Sequence, residues 1–152
     1  MPEADAKPKN EENLAALMAK VKGEPIASFF KFKILELTPG YAKISMKLLP
    51  EYLNFNGVIF GSIYMAAADY AFSLAINSLN MPSVATQFNI HLLAAAEAGD
   101  EIIAEGRVLR SGRRVGITEM TVTNQKGKLI AKATGTTVPL NTPDTIKRSL
   151  EK

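Results

Sequence analysis

The sequence predicts an α+β domain in which one curled antiparallel sheet wraps around a single long central helix. Gly61 to Ser78 is alanine-rich and lacks glycine and proline after Gly61, so it reads as the longest helix. Apolar residues surround it on nearly every side, the pattern of a buried helix. Strand-like segments flank it, a hairpin before and four strands after. A sheet with one apolar face and one long apolar helix bury both surfaces when the sheet curls round the helix. Such a sheet leaves an apolar edge and an open groove beside the helix, so dimerisation is expected.

The 152 residues suit one domain. Hydrophobic residues make up 47% and charged residues 22%, enough to build a core without staples. The absence of cysteine excludes disulfides, a thiolate nucleophile and cysteine metal sites. The single histidine, His91, excludes a multi-histidine metal site within one chain. The net charge of +3 is spread along the chain, apart from Arg107, Arg110, Arg113 and Arg114. A nucleic-acid binder usually gathers its basic residues on one face, so this charge is weak evidence for a polyanionic partner, and a phosphorylated ligand fits it as well as nucleic acid. Val58 to Ile76 is apolar and long enough to be weighed as a membrane span, but Asp69 within it argues against insertion. The polar N-terminus lacks an apolar signal core, so a cytoplasmic protein is expected.

Residues 1–9 read as a disordered tail. Asn10 to Val21 reads as a helix with Leu14, Leu17, Met18 and Val21 on one stripe, capped by Asn10 or Asn13 and ended by Gly23 and Pro25. Phe29 to Leu37 reads as a strand from its aromatic and β-branched content. Pro39-Gly40 turns the chain into Tyr41–Leu48, where Ala42, Ile44, Met46 and Leu48 alternate with Lys43, Ser45 and Lys47. Pro50 to Gly57 is a loop. After the long helix, Val84–Leu93, Glu101–Leu109, Val115–Asn124 and Lys128–Leu140 read as a four-strand meander. Turns at Glu97–Asp100 and Asn124–Gly127 separate the strands, and residues 141–152 read as a polar tail.

Asp69 is the most informative position for chemistry. Its neighbours are Ala66, Ala67, Ala68, Tyr70, Ala71 and Phe72. Apolar surroundings raise a carboxyl pKa toward the range of a general base. A hydrogen-bonded structural aspartate is the alternative. At the helix start, Gly61 permits close approach of backbone and Ser62 offers a cap. Free amides and the positive end of the helix dipole gather there and suit an oxyanion, although most helices start without catalysis. Arg110-Ser111-Gly112-Arg113-Arg114 forms a basic turn whose guanidinium forks match phosphate, or a plain solvated hairpin. His91, alone on a strand, reads as a surface or interface residue.

The segment Asn54-Phe55-Asn56-Gly57-Val58-Ile59-Phe60-Gly61-Ser62, followed by Ala67-Ala68-Asp69-Tyr70-Ala71-Phe72, resembles the motif of the PaaI-type hotdog thioesterases. That motif reads N-x-x-G-x-x-H-G-G, then L-A-D-x-A-F with the acid seven residues after the second glycine. Asp69 stands seven residues after Ser62. Gln87 to Ala96 resembles the family strand D-L-N-I-N-F-L-R-P-A. Gly99-Asp100-Glu101, Arg113-Arg114 and Ala131 to Thr136 also fit, so the likeness spans residues 26–140. Phe60 replaces the motif histidine and Ser62 the second glycine. A family hydroxyl falls on Ala85, with Thr86 beside it.

The resemblance implies a single hotdog domain over residues 10–140 that hydrolyses acyl-CoA thioesters. Asp69 would activate water or attack the thioester. The Gly61 and Ser62 amides would hold the carbonyl oxygen, and Asn54 would be the polar partner near the water. Sites would lie between subunits of a homodimer or homotetramer. The partner would be a small-molecule acyl-CoA and no nucleic acid. Coenzyme A would enter only as part of the substrate, with no cofactor or metal. Its phosphates would meet Arg110, Arg113 and Arg114, a placement suggested more by chemistry than by motif. The acyl chain would lie along Phe60, Met65 and Phe72, with Thr86 nearby. A non-catalytic acyl-CoA binding or sensing module is the alternative that Phe60 favours.

Overall fold

The computed structural model describes residues 3–140, with side chains described from Lys9 onward. Helix α1 spans Glu3–Val21 and helix α2 spans Pro25–Phe30. Strands β1 (Lys33–Thr38) and β2 (Tyr41–Lys47) form the first hairpin. Helix α3 (Gly61–Asn77) follows a loop containing a short 3-10 turn at Pro50–Tyr52. Strands β3 (Ser83–Leu92), β4 (Glu101–Ser111), β5 (Gly116–Asn124) and β6 (Leu129–Pro139) complete one antiparallel sheet. The strand order is β1-β2-β4-β5-β6-β3. The sheet curls around α3, which packs mainly on β2, β4 and β5. This is the hotdog arrangement. No helix among the described residues is long and apolar enough to cross a membrane.

The core follows the alternation written in the strands, except at Ser45, expected on the outer face of β2 with Lys43 and Lys47 but buried. Ala42, Ile44 and Met46 of β2 face Gly106, Ala104 and Ile102 of β4, and the side chains of this layer are buried under α3. On β5 the inward set is Gly116, Thr118, Met120, Val122 and Asn124. Two glycines let the helix sit low. A Cβ on Gly106 would lie 2.6 Å from the Ala71 carbonyl oxygen, and one on Gly135 would lie 2.5 Å from the Phe72 ring. A larger residue at Gly106 would meet the α3 backbone and push the helix off the sheet, and one at Gly135 would have to displace the Phe72 ring.

Four elements differ from the sequence expectation. Helix α1 begins at Glu3, not Asn10, so the expected tail overlaps helix from Glu3 onward; residues 141–152 lie outside the described residues. Asn13 does not cap; it lies within α1 and donates from Nδ2 to the Leu79 carbonyl at 2.8 Å, tying α1 to the end of α3. Phe29 and Phe30 belong to α2, not to a strand. Pro25 occupies the first turn, where its fixed φ suits a helix, and Lys31 ends it in the left-handed region at φ 56°. The aromatic run that suggested a strand instead forms a packed cluster beside α3.

The fourth difference is topological. The four C-terminal strands are not a meander. Only β4-β5-β6 run in sequence, while β3 crosses over to pair with β6. β3 is thus an edge strand, with Val84 and Leu92 exposed along it. The crossover is pinned by buried Tyr64 of α3, whose hydroxyl accepts from the Ala96 amide at 2.9 Å.

Candidate active site

Helix α3 is not buried all round, as its composition suggested. Ser62, Met65, Asp69 and Ser73 form one open stripe, at the three- and four-residue spacings of a single helix face. Asp69 lies in the middle of it. No hydrogen bond or ion pair reaches its carboxylate among the described residues. Although the residue is exposed in the isolated chain, crowding of the carboxyl by its neighbours removes enough water to push its pKa above the ordinary 3.8.

Beside Asp69 lies a recess of about 280 Å³. Ala66, Asp69, Tyr70 and Ser73 of α3 form one wall, and Glu24, Ile26, Phe30 and Phe32 form the other. Phe32 stacks on Tyr70 at 4.5 Å between centroids, and Phe30 stacks on Phe32 at 5.2 Å. Tyr70 Oη donates to Glu24 Oε2 at 3.0 Å. Sequence reasoning missed this wall. The Phe29-Phe30-Phe32 run was its visible signal, together with Tyr70 next to the acid.

The helix start is open as expected, but through a different cap. Phe60, not Ser62, occupies the N-cap, at φ −58° and ψ 125°, and its side chain supplies no hydrogen bond. The Gly61 and Ser62 amides find no acceptor among the described residues, because the first N–H groups of a helix have no preceding turn to donate to; Ile63 N is the first to find one, the Phe60 carbonyl at 2.9 Å. A Cβ on Gly61 would strike Leu92 Cδ1 at 2.7 Å, so this glycine also seats the helix start against β3. Asn54 Oδ1 accepts from the Asn56 amide at 2.9 Å and the Val58 amide at 3.4 Å, which folds the loop leading to the helix. Phe60 is 55% and Met65 37% exposed, and neither lines the recess beside Asp69.

The remaining predicted residues scatter. Phe72 is 1% exposed and sits in the core against Phe88 and Gly135, so it does not line an open groove. Spacing alone did not exclude Phe72 from the open stripe, since it follows Asp69 by three residues and Met65 by seven; the sheet approaches α3 on its side and buries it. Thr86 sits at a bulge of edge strand β3 and donates from Oγ1 to the Thr136 carbonyl at 3.3 Å. Arg110 belongs to the end of β4 and not to the turn; Arg113 and Arg114 are in the turn, and all three side chains are exposed. His91 faces outward, opposite Lys132, on the side of the sheet away from α3.

One chain does not bring these parts together. Ser62 and Asp69 are seven residues apart on one helix, a rise of about 10 Å. The basic turn lies at the other end of α3, where the position of a Gly116 Cβ meets Ile76 Cδ1 at 2.8 Å.

The curled sheet cradling one helix is a hotdog fold, and the open face of that helix carries an acid and, at the helix start, amides without an acceptor among the described residues. The thioesterase superfamily profile matches residues 56–131, which include the helix start, Asp69 and the basic turn. A relative in Archaeoglobus fulgidus that bears the provisional name of esterase is 35% identical over 120 residues, 79% of this chain and 78% of its own length. The solved Escherichia coli PaaI protein superposes with a TM-score of 0.79 at 26% identity, covering 90% of this chain and 96% of that one. A hypothetical thioesterase of Streptococcus pneumoniae, solved with coenzyme A, superposes with a TM-score of 0.70 at 27% identity, covering 73% and 88%. The chain belongs to the thioesterase superfamily and is of the PaaI type within it.

Proposed function

We propose that the protein hydrolyses acyl-CoA thioesters with Asp69 as general base or nucleophile. The observation that carries this reading is the unpaired, desolvated Asp69 carboxylate beside a recess of acyl size. As a base, Asp69 takes a proton from water as the water oxygen attacks the thioester carbonyl; the coenzyme A thiolate then leaves and is protonated. As a nucleophile, it forms an acyl anhydride that water opens. In either case the carbonyl oxygen gains negative charge, which the free amides of Gly61 and Ser62 are suited to receive. Coenzyme A enters as part of the substrate, as the solved Streptococcus pneumoniae relative with coenzyme A supports. Arg110, Arg113 and Arg114 are the phosphate partners by chemistry.

The 10 Å rise between Asp69 and Ser62 makes a second copy part of the proposal. Two chains related by a two-fold axis across edge strand β3 set one α3 antiparallel to the other. The helix start of one chain then approaches Asp69 of its neighbour. The unpaired edge and the exposed Val84, Leu92 and Leu93 suit that contact. Phe60 at the N-cap supports a second reading, a module that binds acyl-CoA without turnover, because the cap contributes no polar side chain.

Free-thiol release from a panel of acyl-CoAs, measured with Asp69→Asn beside the parent, separates the two. Turnover that Asp69→Asn abolishes establishes the hydrolase. Saturable binding without turnover, unchanged in Asp69→Asn, leaves the binding module.

A further inference from the structure

The recess beside Asp69 has apolar sides but a second carboxylate in its wall. Ile26, Phe30, Phe32 and Ala66 supply the apolar surface, and Glu24 supplies the charge. Glu24 is the N-cap residue of α2, yet its side chain makes no cap hydrogen bond. It turns instead to Tyr70, accepting that hydroxyl through Oε2. Its other oxygen has no hydrogen-bond donor among the described residues. The stacked Phe30-Phe32-Tyr70 series fixes the tyrosine, and the tyrosine fixes the carboxylate. A held carboxylate with a spare acceptor oxygen is a selective feature. It accepts a hydrogen bond from a hydroxyl and repels another carboxylate.

We infer that Glu24, held by Tyr70, is a specificity-determining residue that favours acyl groups ending in a hydroxyl over those ending in a carboxylate. The inference rests on the acyl-CoA reading proposed above. The volume of about 280 Å³ equals roughly nine waters at ~30 Å³ each, which matches a six-carbon acyl group with a polar end. The tip of such a group meets Glu24 while its thioester stays near Asp69, since both line the same recess. Hydrogen bonds to a charged acceptor shift selectivity by about ten- to a hundredfold.

The test uses the full chain with hexanoyl-CoA, 6-hydroxyhexanoyl-CoA and 5-carboxypentanoyl-CoA. It reads ratios of kcat/KM, so a general loss of activity in a variant cancels. The hydroxyl substrate is expected to exceed the carboxylate substrate at least tenfold. Glu24→Gln, which keeps an acceptor for Tyr70 but loses the charge, is expected to shrink that ratio at least tenfold. A ratio near one in the parent, or an unchanged ratio in Glu24→Gln, overturns the inference while leaving hydrolysis intact. Calorimetric binding of the three non-hydrolysable thioether analogues gives the same ratio in Kd. If no substrate turns over, the hydrolase reading fails, and the Kd ratio alone then upholds or overturns the role of Glu24.

Discussion

On one face of α3, Ala67, Ala68, Ala71, Phe72 and Ala75 meet the sheet at van der Waals contact, close enough that Gly106 and Gly135 leave no room for a methyl group. On the other face, Ser62, Met65, Asp69 and Ser73 stand open, and the carboxylate among them has no partner among the described residues. Both faces belong to the same 17-residue helix and are drawn from the same apolar, alanine-rich composition. The buried face is set by volume, where small residues bring helix and sheet together. The open face carries one charged residue, whose neighbours partly desolvate it. The difference locates the site more sharply than composition does.

Replacing the chemistry on the open face should produce the largest change. Asp69→Asn is expected to lower turnover of the best acyl-CoA by about 10²–10⁴-fold, read as thiol release, with secondary structure intact by circular dichroism. A comparable free-energy effect on the opposite face should appear as lost stability. Phe72→Ala removes the ring that fills the space over Gly135 and is expected to cost about 3–5 kcal/mol, measured by urea unfolding. Were Phe72→Ala to alter acyl selectivity without a loss of stability, the division between the two faces would collapse.

A smaller effect is expected at the distant arginines, Arg110 at the end of β4 and Arg114 in the turn after it. Arg110→Ala combined with Arg114→Ala should raise KM for acyl-CoA about tenfold, with little change in kcat. KM for the matching acyl-pantetheine, which lacks the nucleotide phosphates, should not move. Equal losses with both substrates would remove these arginines from phosphate binding.

The subtlest effects concern protons. The Asp69 pKa lies above 3.8 in the folded chain because burial disfavours its charged form. The acid limb of kcat/KM should therefore have its midpoint above 3.8, as activity needs the carboxylate. The folded state binds this proton more tightly than the unfolded state. The group's contribution to stability is thus greatest below 3.8 and falls as pH rises through the folded pKa. Asp69→Asn should accordingly raise Tm at neutral pH and lose that advantage in acid. Exposure keeps the gain below about 1 kcal/mol, ~2–4 °C in Tm for a chain of this size. A lower Tm at pH 7 would show the aspartate to be structural.

Much of this architecture was legible one segment at a time. Alternation in Tyr41–Leu48 picked out the buried set Ala42, Ile44, Met46 and Leu48. Asn124–Gly127 formed the expected hairpin turn, with Asn124 Oδ1 accepting from the Lys126 and Lys128 amides. The spacing from Ser62 to Asp69 carried the family resemblance. What stayed illegible was non-local. The pairing of β3 with β6 follows from contacts about fifty residues apart, for which short periodic patterns hold no information. The placing of Phe72 in the core and Asp69 on the open stripe depended on which side of α3 the sheet approached. With apolar residues all round the helix, the hydrophobic pattern left that choice open.

By itself, then, the sequence determined the strands from Tyr41 onward, the long helix, the acid within it and most turns between elements, because these depend on backbone propensities and side-chain periods of a few residues. The aromatic start expected of the first strand is instead helix α2. Only the tertiary structure decided the edge position of β3, the open stripe of α3 and the recess shared by Asp69 and Glu24. Each of these arises where segments far apart in the chain exclude water from one another, and that packing is a property of the whole fold.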